Sequence, residues 1–249
     1  MAQRVKLTIE YDGIGYAGWQ RQPDQPTIQG ALEHAAAQFN EAPVLIQGAG
    51  RTDAGVHATG QVAHMDLTTE RPIHKIADAM NFHLRPQPVA VLKAEAVNET
   101  FHARFSATGR AYRYVIINRR ADLTLERDRA LRVPYQLDAG AMHRAAQCLI
   151  GVHDYTTFRD LNCQAKTPVK SIDKIAVTRF GDRVEVTVEA ISFLHRQVRS
   201  ITGSLIDIGR GAQNEAWLQE ILDAKDRTAC GPVAAAEGLY LERVDYGNP

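Results

Sequence analysis

The residues best suited to chemistry lie in one short stretch, GAGRTDAGVHATGQVAHM, from Gly48 to Met65. Arg51, Thr52 and Asp53 stand there among small residues, with His57 and His64 further along. Four chemistries compete: a phosphate cradle, a metal site, a nucleophilic carboxylate and a plain polar turn. The glycines fall at 48, 50, 55 and 60. A dinucleotide fingerprint needs glycine where Asp53 stands, and a Walker loop needs a Gly-Lys-Ser/Thr that is absent, so the phosphate reading is weak. A metal site would draw on Asp53, His57 and His64. Asp and His four apart suit one helix face, but Gly55 between them opposes a helix, and no third ligand has a recognised spacing.

An aspartate in a glycine-rich turn often does no more than bond nearby backbone N–H groups, with Arg51 as a solvated neighbour. A nucleophile needs more. The segments flanking this loop are apolar, so a scaffold holds its tip, where functional residues tend to lie. Gly50, Thr52, Ala54 and Gly55 leave room for a bulky planar substrate beside the carboxylate. An enclosed carboxylate tends to take up a proton, and a nearby guanidinium reverses that tendency. Arg51, or an arginine brought from elsewhere, would serve. Spacing alone leaves the turn and the nucleophile both open.

The surrounding elements read as follows. Val5 to Tyr11 alternates apolar and polar residues into Asp12-Gly13, a half-buried strand entering a turn. Residues 12–26 form a long loop. Thr27 caps a helix with apolar positions Ile28, Leu32, Ala35 and Phe39. Val44–Ile46 and Gln61–Leu67 read as strands flanking the quoted loop, Ile73–Phe82 as a helix and Val89–Val97 as a strand. The pattern then restarts with a strand at Tyr112–Ile117 and a helix from Asp138 through Ile150. Strands at Ile172–Phe180 and Arg183–Ala190 turn at Gly181-Asp182. Helices at Phe193–Ile208 and Glu215–Ala224 and a strand at Leu239–Val244 complete it. The expected fold class is therefore α+β: two domains of similar ferredoxin/RRM-like topology, residues 1–105 and 106–249, sheets flanked by helices, with the active-site cleft between them. On the 193–208 helix, Leu194, Val198, Ile201, Leu205 and Ile208 form an apolar stripe, with His195, Arg199 and Thr202 on its flank. A rigidly anchored arginine there is a suitable partner for a catalytic carboxylate.

With 29 basic and 29 acidic residues, the chain has no global field to draw in a polyanion. Any nucleic-acid surface must be a local cluster of arginines. Three cysteines, Cys148, Cys163 and Cys230, make neither a CxxC nor an even disulfide set, which suits reduced thiols in a cytoplasmic protein. The first residues read as a strand rather than a signal peptide, and no apolar run reaches the ~20 residues of a membrane span.

AGRTDAGVHA resembles the catalytic motif of the tRNA pseudouridine synthase A family. EYDG with YAGWQRQP is similar to that family's opening, and FHARFSATGRAYRY to the segment joining its domains. DYTTFR, FLHRQVRSITGSL and AAEGLYL resemble its later motifs, in the same order, so the resemblance covers nearly the whole chain. It implies that Asp53 is the nucleophile converting uridine to pseudouridine at positions 38, 39 and 40 of the tRNA anticodon stem-loop. The target base leaves the stack before reaction. Arg51 falls on a position that fills the vacated space or contacts the extruded nucleotide. Tyr112 falls on one that packs against the base, Arg199 on the basic partner of Asp53, and Leu239 on a position that would line the uracil pocket. Gln197 stands where the family usually has Met. The resemblance further implies a homodimer, with tRNA as its partner and with neither cofactor nor metal.

Arg21, Arg104, Arg110, Arg113, Arg119, Arg120, Arg196 and Arg210 are candidate phosphate contacts. Two rivals have other chemistry. A non-catalytic protein of two RRM-like domains lacks support from any RNP aromatic signature. A metal-dependent hydrolase using Asp53, His57 and His64 would lose activity in EDTA.

Overall fold

The computed structural model describes residues 3–40 and 42–247. In chain order the main elements are β1 (Gln3–Tyr11), α1 (Ile28–Asn40), β2 (Gln47–Gly48), β3 (His57–Leu67), α2 (Ile73–Leu84) and β4 (Val89–Ala96). There follow β5 (Ala107–Ile117), β6 (Leu131–Arg132), α3 (Ala139–Ala146), β7 (Gly151–Asp154), β8 (Val169–Ile172), β9 (Lys174–Phe180) and β10 (Arg183–Ala190). The chain closes with α4 (Gln197–Gly209), α5 (Trp217–Ala224) and β11 (Leu239–Tyr246). The architecture is mixed α+β, and the chain forms two compact units: residues 1–108 with 240–249, and residues 109–239.

In the first unit the strands run β4-β1-β3-β11, with β2 paired to β3. Alternation in β1 places Val5, Leu7 and Ile9 in the core. Ile28, Leu32 and Ala35 of α1 are fully buried, as are Ile76, Met80 and Leu84 of α2 at a spacing of one turn. Thr27 Oγ1 accepts from Gly30 N at 3.2 Å, the cap expected there. Gly18 O and Trp19 O accept from Ile28 N and Gln29 N at 3.1 and 3.0 Å, so the preceding loop satisfies two more N–H groups of the first turn.

The second unit has strand order β5-β10-β9, with β6 paired to β5 and β7–β8 forming a separate two-stranded ladder. Val184, Val186 and Val188 of β10 are buried, while polar residues alternate with them. The β9–β10 hairpin turns at Gly181, whose φ is +59°. Asp138 caps α3 by accepting from Ala141 N at 2.9 Å.

The structure departs from the sequence reading in several places. The last strand was expected to fall with 106–249, but residues 240–249 group with the first unit. The reason is parallel pairing of Tyr240 and Leu241 with His57 and Ala58. Gly60 permits the approach, since a Cβ there would collide with Glu242 O. The Tyr240 ring stacks on His57 at 4.8 Å, and Tyr246 Oη donates to Ala103 O at 2.7 Å. The helix expected from Phe193 begins at Gln197, because Arg196 takes a left-handed φ of +59°. His195 therefore lies before the helix rather than on its flank, and Thr202 is buried, bonding back to Val198 O at 2.8 Å. None of Val44–Ile46 is strand: the short β2 falls just after it, at Gln47–Gly48, and Ile46 N donates to the Glu33 side chain, Oε1 at 3.1 Å, instead of to a strand.

Candidate active site

Asp53 lies in the loop entering β3, partly exposed, between buried Thr52 and exposed Ala54. Val56 N donates to Asp53 O at 3.2 Å, and Gly55 takes a φ of +76°, which closes a turn at the tip. Arg51 is exposed two residues earlier in the same loop.

The loop is strapped by the segment that leaves β1. Trp19 N donates to Thr52 O at 3.0 Å. Gly18, at a φ of +101°, presses against the loop so closely that a Cβ would lie 2.6 Å from Thr52 O and 3.1 Å from Ala54 N. Tyr11 Oη lies 2.8 Å from Thr52 Oγ1, and Gln61 Nε2 donates to Gly50 O at 2.8 Å. The strap is itself tied to α1: Arg21 N and Gln20 Nε2 donate to Gln29 Oε1 at 3.0 and 2.9 Å. Gln29 Nε2 donates in turn to Ile46 O at 3.1 Å, so buried polar groups join helix, strap and loop entry.

The histidines near the loop have structural duties. His57 is buried, and its Nδ1 accepts from Gly13 N at 3.1 Å with Asp12 Oδ1 at 3.2 Å. His64 is buried, and its Nδ1 accepts from Ala103 N at 3.2 Å. Burial, with the charges of His102 and Arg4, holds the His64 pKa down to about 4. Among the described residues no group of three or more His, Cys, Asp or Glu side chains is arranged to hold a metal ion.

The other expected site residues belong to the second unit. Tyr112 is buried on β5, its ring edge-on to Phe193 at 5.1 Å and 87°. Tyr114, two residues on and therefore on the same face, donates from Oη to Ala235 O at 2.7 Å. Burial raises the Tyr114 pKa, the Glu237 charge adds to this and the Arg199 charge opposes it, so the hydroxyl remains a neutral donor. Arg199 sits in the first turn of α4 and is anchored twice. Its Nε donates to Ala234 O at 2.8 Å, and its own carbonyl accepts from Ala234 N at 3.1 Å. Leu239 is buried at the start of β11, directly after Gly238, which packs on the Tyr114 ring. The stretch 234–239 thus links Arg199 to the tyrosine strand. Gln197 is buried, and its Oε1 accepts from Leu194 N at 2.8 Å.

Sequence reasoning missed the strap contacts, the 234–239 link and Asp160. Asp160 is buried and pairs with Arg196 at 3.0 Å and His195 at 3.4 Å. Burial pushes its carboxyl up, but the Asn162 N–H and the charges of His195, Arg196 and Arg227 outweigh this and lower its pKa. Only pattern-free tertiary packing creates these contacts, although the glycine at 18 beside a tryptophan was a signal of close approach. Of the arginines expected at phosphates, Arg21, Arg113, Arg196 and Arg210 pair with Glu33, Glu185, Asp160 and Asp207 at 3.1, 3.1, 3.0 and 2.9 Å. Arg104 lies over the ring of Phe105 at 5.6 Å.

The frame is mixed α+β, with a carboxylate on a strapped loop in the first unit and a tyrosine strand and an anchored arginine in the second. A family model described as tRNA pseudouridine synthase matches residues 7–106 and 145–247. The tRNA pseudouridine synthase A of Hyphomonas neptunium is 61% identical over 243 residues, 98% of either chain. That of Maricaulis maris is 56% identical over 246 residues, 99% of either chain. That of Xanthobacter autotrophicus is 57% identical over 243 residues, 98% of this chain and 99% of its own. The chain belongs to the tRNA pseudouridine synthase A family and is an isomerase.

Proposed function

We propose that the protein isomerises uridine to pseudouridine at positions 38, 39 and 40 in the anticodon stem-loop of tRNA, with Asp53 as nucleophile. The observation that carries this reading is a partly exposed aspartate at the tip of a loop whose backbone is fixed from behind. In the reaction the C1′–N1 bond breaks, the uracil turns, and C5 joins C1′. No group is transferred and no net redox change occurs, so the chemistry calls for no cofactor. A base inside the stack is out of reach of a side chain, so the nucleotide swings out, at a cost of a few kcal/mol.

In this reading Arg51 fills the vacated space or contacts the extruded nucleotide. Tyr112 packs against the base, where an aromatic contact contributes ~1–3 kcal/mol. Arg199 is the cationic partner of Asp53, and Leu239 lines the uracil pocket. The double anchoring of Arg199 on Ala234 supports a fixed charge. The element order strand, helix, strand, strand, helix, strand, paired as β4-β1-β3-β2, supports a ferredoxin/RRM-like plan for the first unit. We place the protein in the cytoplasm as a homodimer with RNA crossing both subunits. The test is tritium release from tRNA labelled at uracil C5, which pseudouridine formation requires. Absence of release with every anticodon arm tried overturns the assignment.

A further inference from the structure

We propose that Tyr11 and Gln61 are positioning residues for the isomerisation, holding the backbone on both sides of Arg51 so that the Asp53 carboxylate is set before the substrate arrives. The inference rests on Asp53 being the nucleophile.

Tyr11 is the last residue of β1 and Gln61 lies in β3; they are 4% and 0% exposed. Gln61 Oε1 accepts from Val62 N at 3.2 Å, which fixes the sense of the amide. Its Nε2 then donates to Gly50 O at 2.8 Å and to Tyr11 Oη at 3.4 Å. An amide nitrogen only donates, so Tyr11 Oη accepts there and has its own proton for Thr52 Oγ1, at 2.8 Å. Three buried side chains thus form one directed chain of hydrogen bonds. Its ends lie on Gly50 and Thr52, the two neighbours of Arg51, and Thr52 is bonded directly to Asp53 in sequence.

A core filled by apolar side chains of the same size would avoid the desolvation cost of these polar groups. What the polar chain supplies instead is direction: each bond weakens outside a limited range of distance and angle, whereas apolar contact tolerates sliding. Trp19 N donates to Thr52 O at 3.0 Å, so the same residue is held through its backbone as well as its hydroxyl. Catalysis is sensitive to this, because a misplacement of ~1 Å at the reacting group costs on the order of 100-fold in rate.

The test is a cycle of Tyr11→Phe, Thr52→Val and the double variant, with kcat and KM measured on tRNA and folding checked by circular dichroism. Tyr11→Phe keeps the ring and Thr52→Val keeps the volume. We expect each to lower kcat about 10- to 100-fold with KM little changed, and the double variant to be no slower than the slower single one. Thr52→Ser, which retains the hydroxyl, should recover most of the loss. Unchanged kcat in folded Tyr11→Phe, multiplicative losses in the double variant, or no recovery in Thr52→Ser would overturn the proposal. Asp53→Asn separates the two readings. If it abolishes turnover while Tyr11→Phe does not slow it, only the positioning role fails; if it leaves turnover intact, the nucleophile reading fails as well.

Discussion

Gly18→Ala is a one-carbon change more than thirty residues from Asp53 in sequence, yet it should damage both stability and rate. The added Cβ would sit 2.6 Å from Thr52 O and 3.1 Å from the carbonyl carbon of Asp53, both backbone atoms that have no rotamer to escape into. To reach even a tight contact of 3.0–3.4 Å the loop must retreat by about 0.4–0.8 Å, and at ~100-fold per ångström that displacement lowers kcat roughly 6- to 40-fold. Independently, alanine at a φ of +101° is strained by about 1–3 kcal/mol. Urea unfolding reports the second effect and tritium release from labelled tRNA the first. Both readouts are needed, because strain alone predicts lost stability with normal kcat in the folded fraction. Gly18→Ala with the rate and unfolding midpoint of the parent would refute the claim that the strap sets the catalytic loop.

Three further outcomes follow from the same geometry. His64 accepts a backbone N–H at Nδ1 and has its pKa lowered to about 4, so below pH 6.5 the unfolded chain takes up a proton that the folded chain refuses. Stability should be level above pH 6.5 and fall from there to about pH 4; urea midpoints across that range check it, and His64→Gln should flatten this part of the profile. Arg199→Lys keeps the charge but loses the Nε donor that binds Ala234 O, and a loss of anchoring should slow kcat about 10-fold or more in the same tritium assay. At least four of the eight candidate phosphate-binding arginines already pair with carboxylates, so tRNA affinity against salt should show a log–log slope clearly shallower than the roughly −6 of eight contacts; filter binding at several salt concentrations measures it.

Much of the frame was legible because periodicity and caps are local. Alternation from Val5 to Tyr11 and in Arg183–Ala190 located β1 and β10, and Thr27 and Asp138 announced α1 and α3. Asp53 and Arg51 stood out by type and spacing, and the ordered motifs pointed to the family. What escaped was decided at a distance. No local rule reveals that Arg196 takes a left-handed turn that delays α4, or that Tyr240 pairs beside His57 and carries the last strand into the first unit. Glu33 and Gln29 look like surface residues of an amphipathic helix. They are buried with their polar groups matched: Glu33 accepts from Ile46 N, and Gln29 donates to Ile46 O and accepts from the Gln20 side chain.

The most direct test of the account compares Asp53→Asn with the parent protein on tRNA carrying tritium at uracil C5, with tRNA binding measured alongside. The parent should release tritium to water, and Asp53→Asn should bind the same tRNA with nearly the same Kd and release none. Tritium release by Asp53→Asn at a rate near that of the parent would contradict the assignment of this carboxylate as the nucleophile.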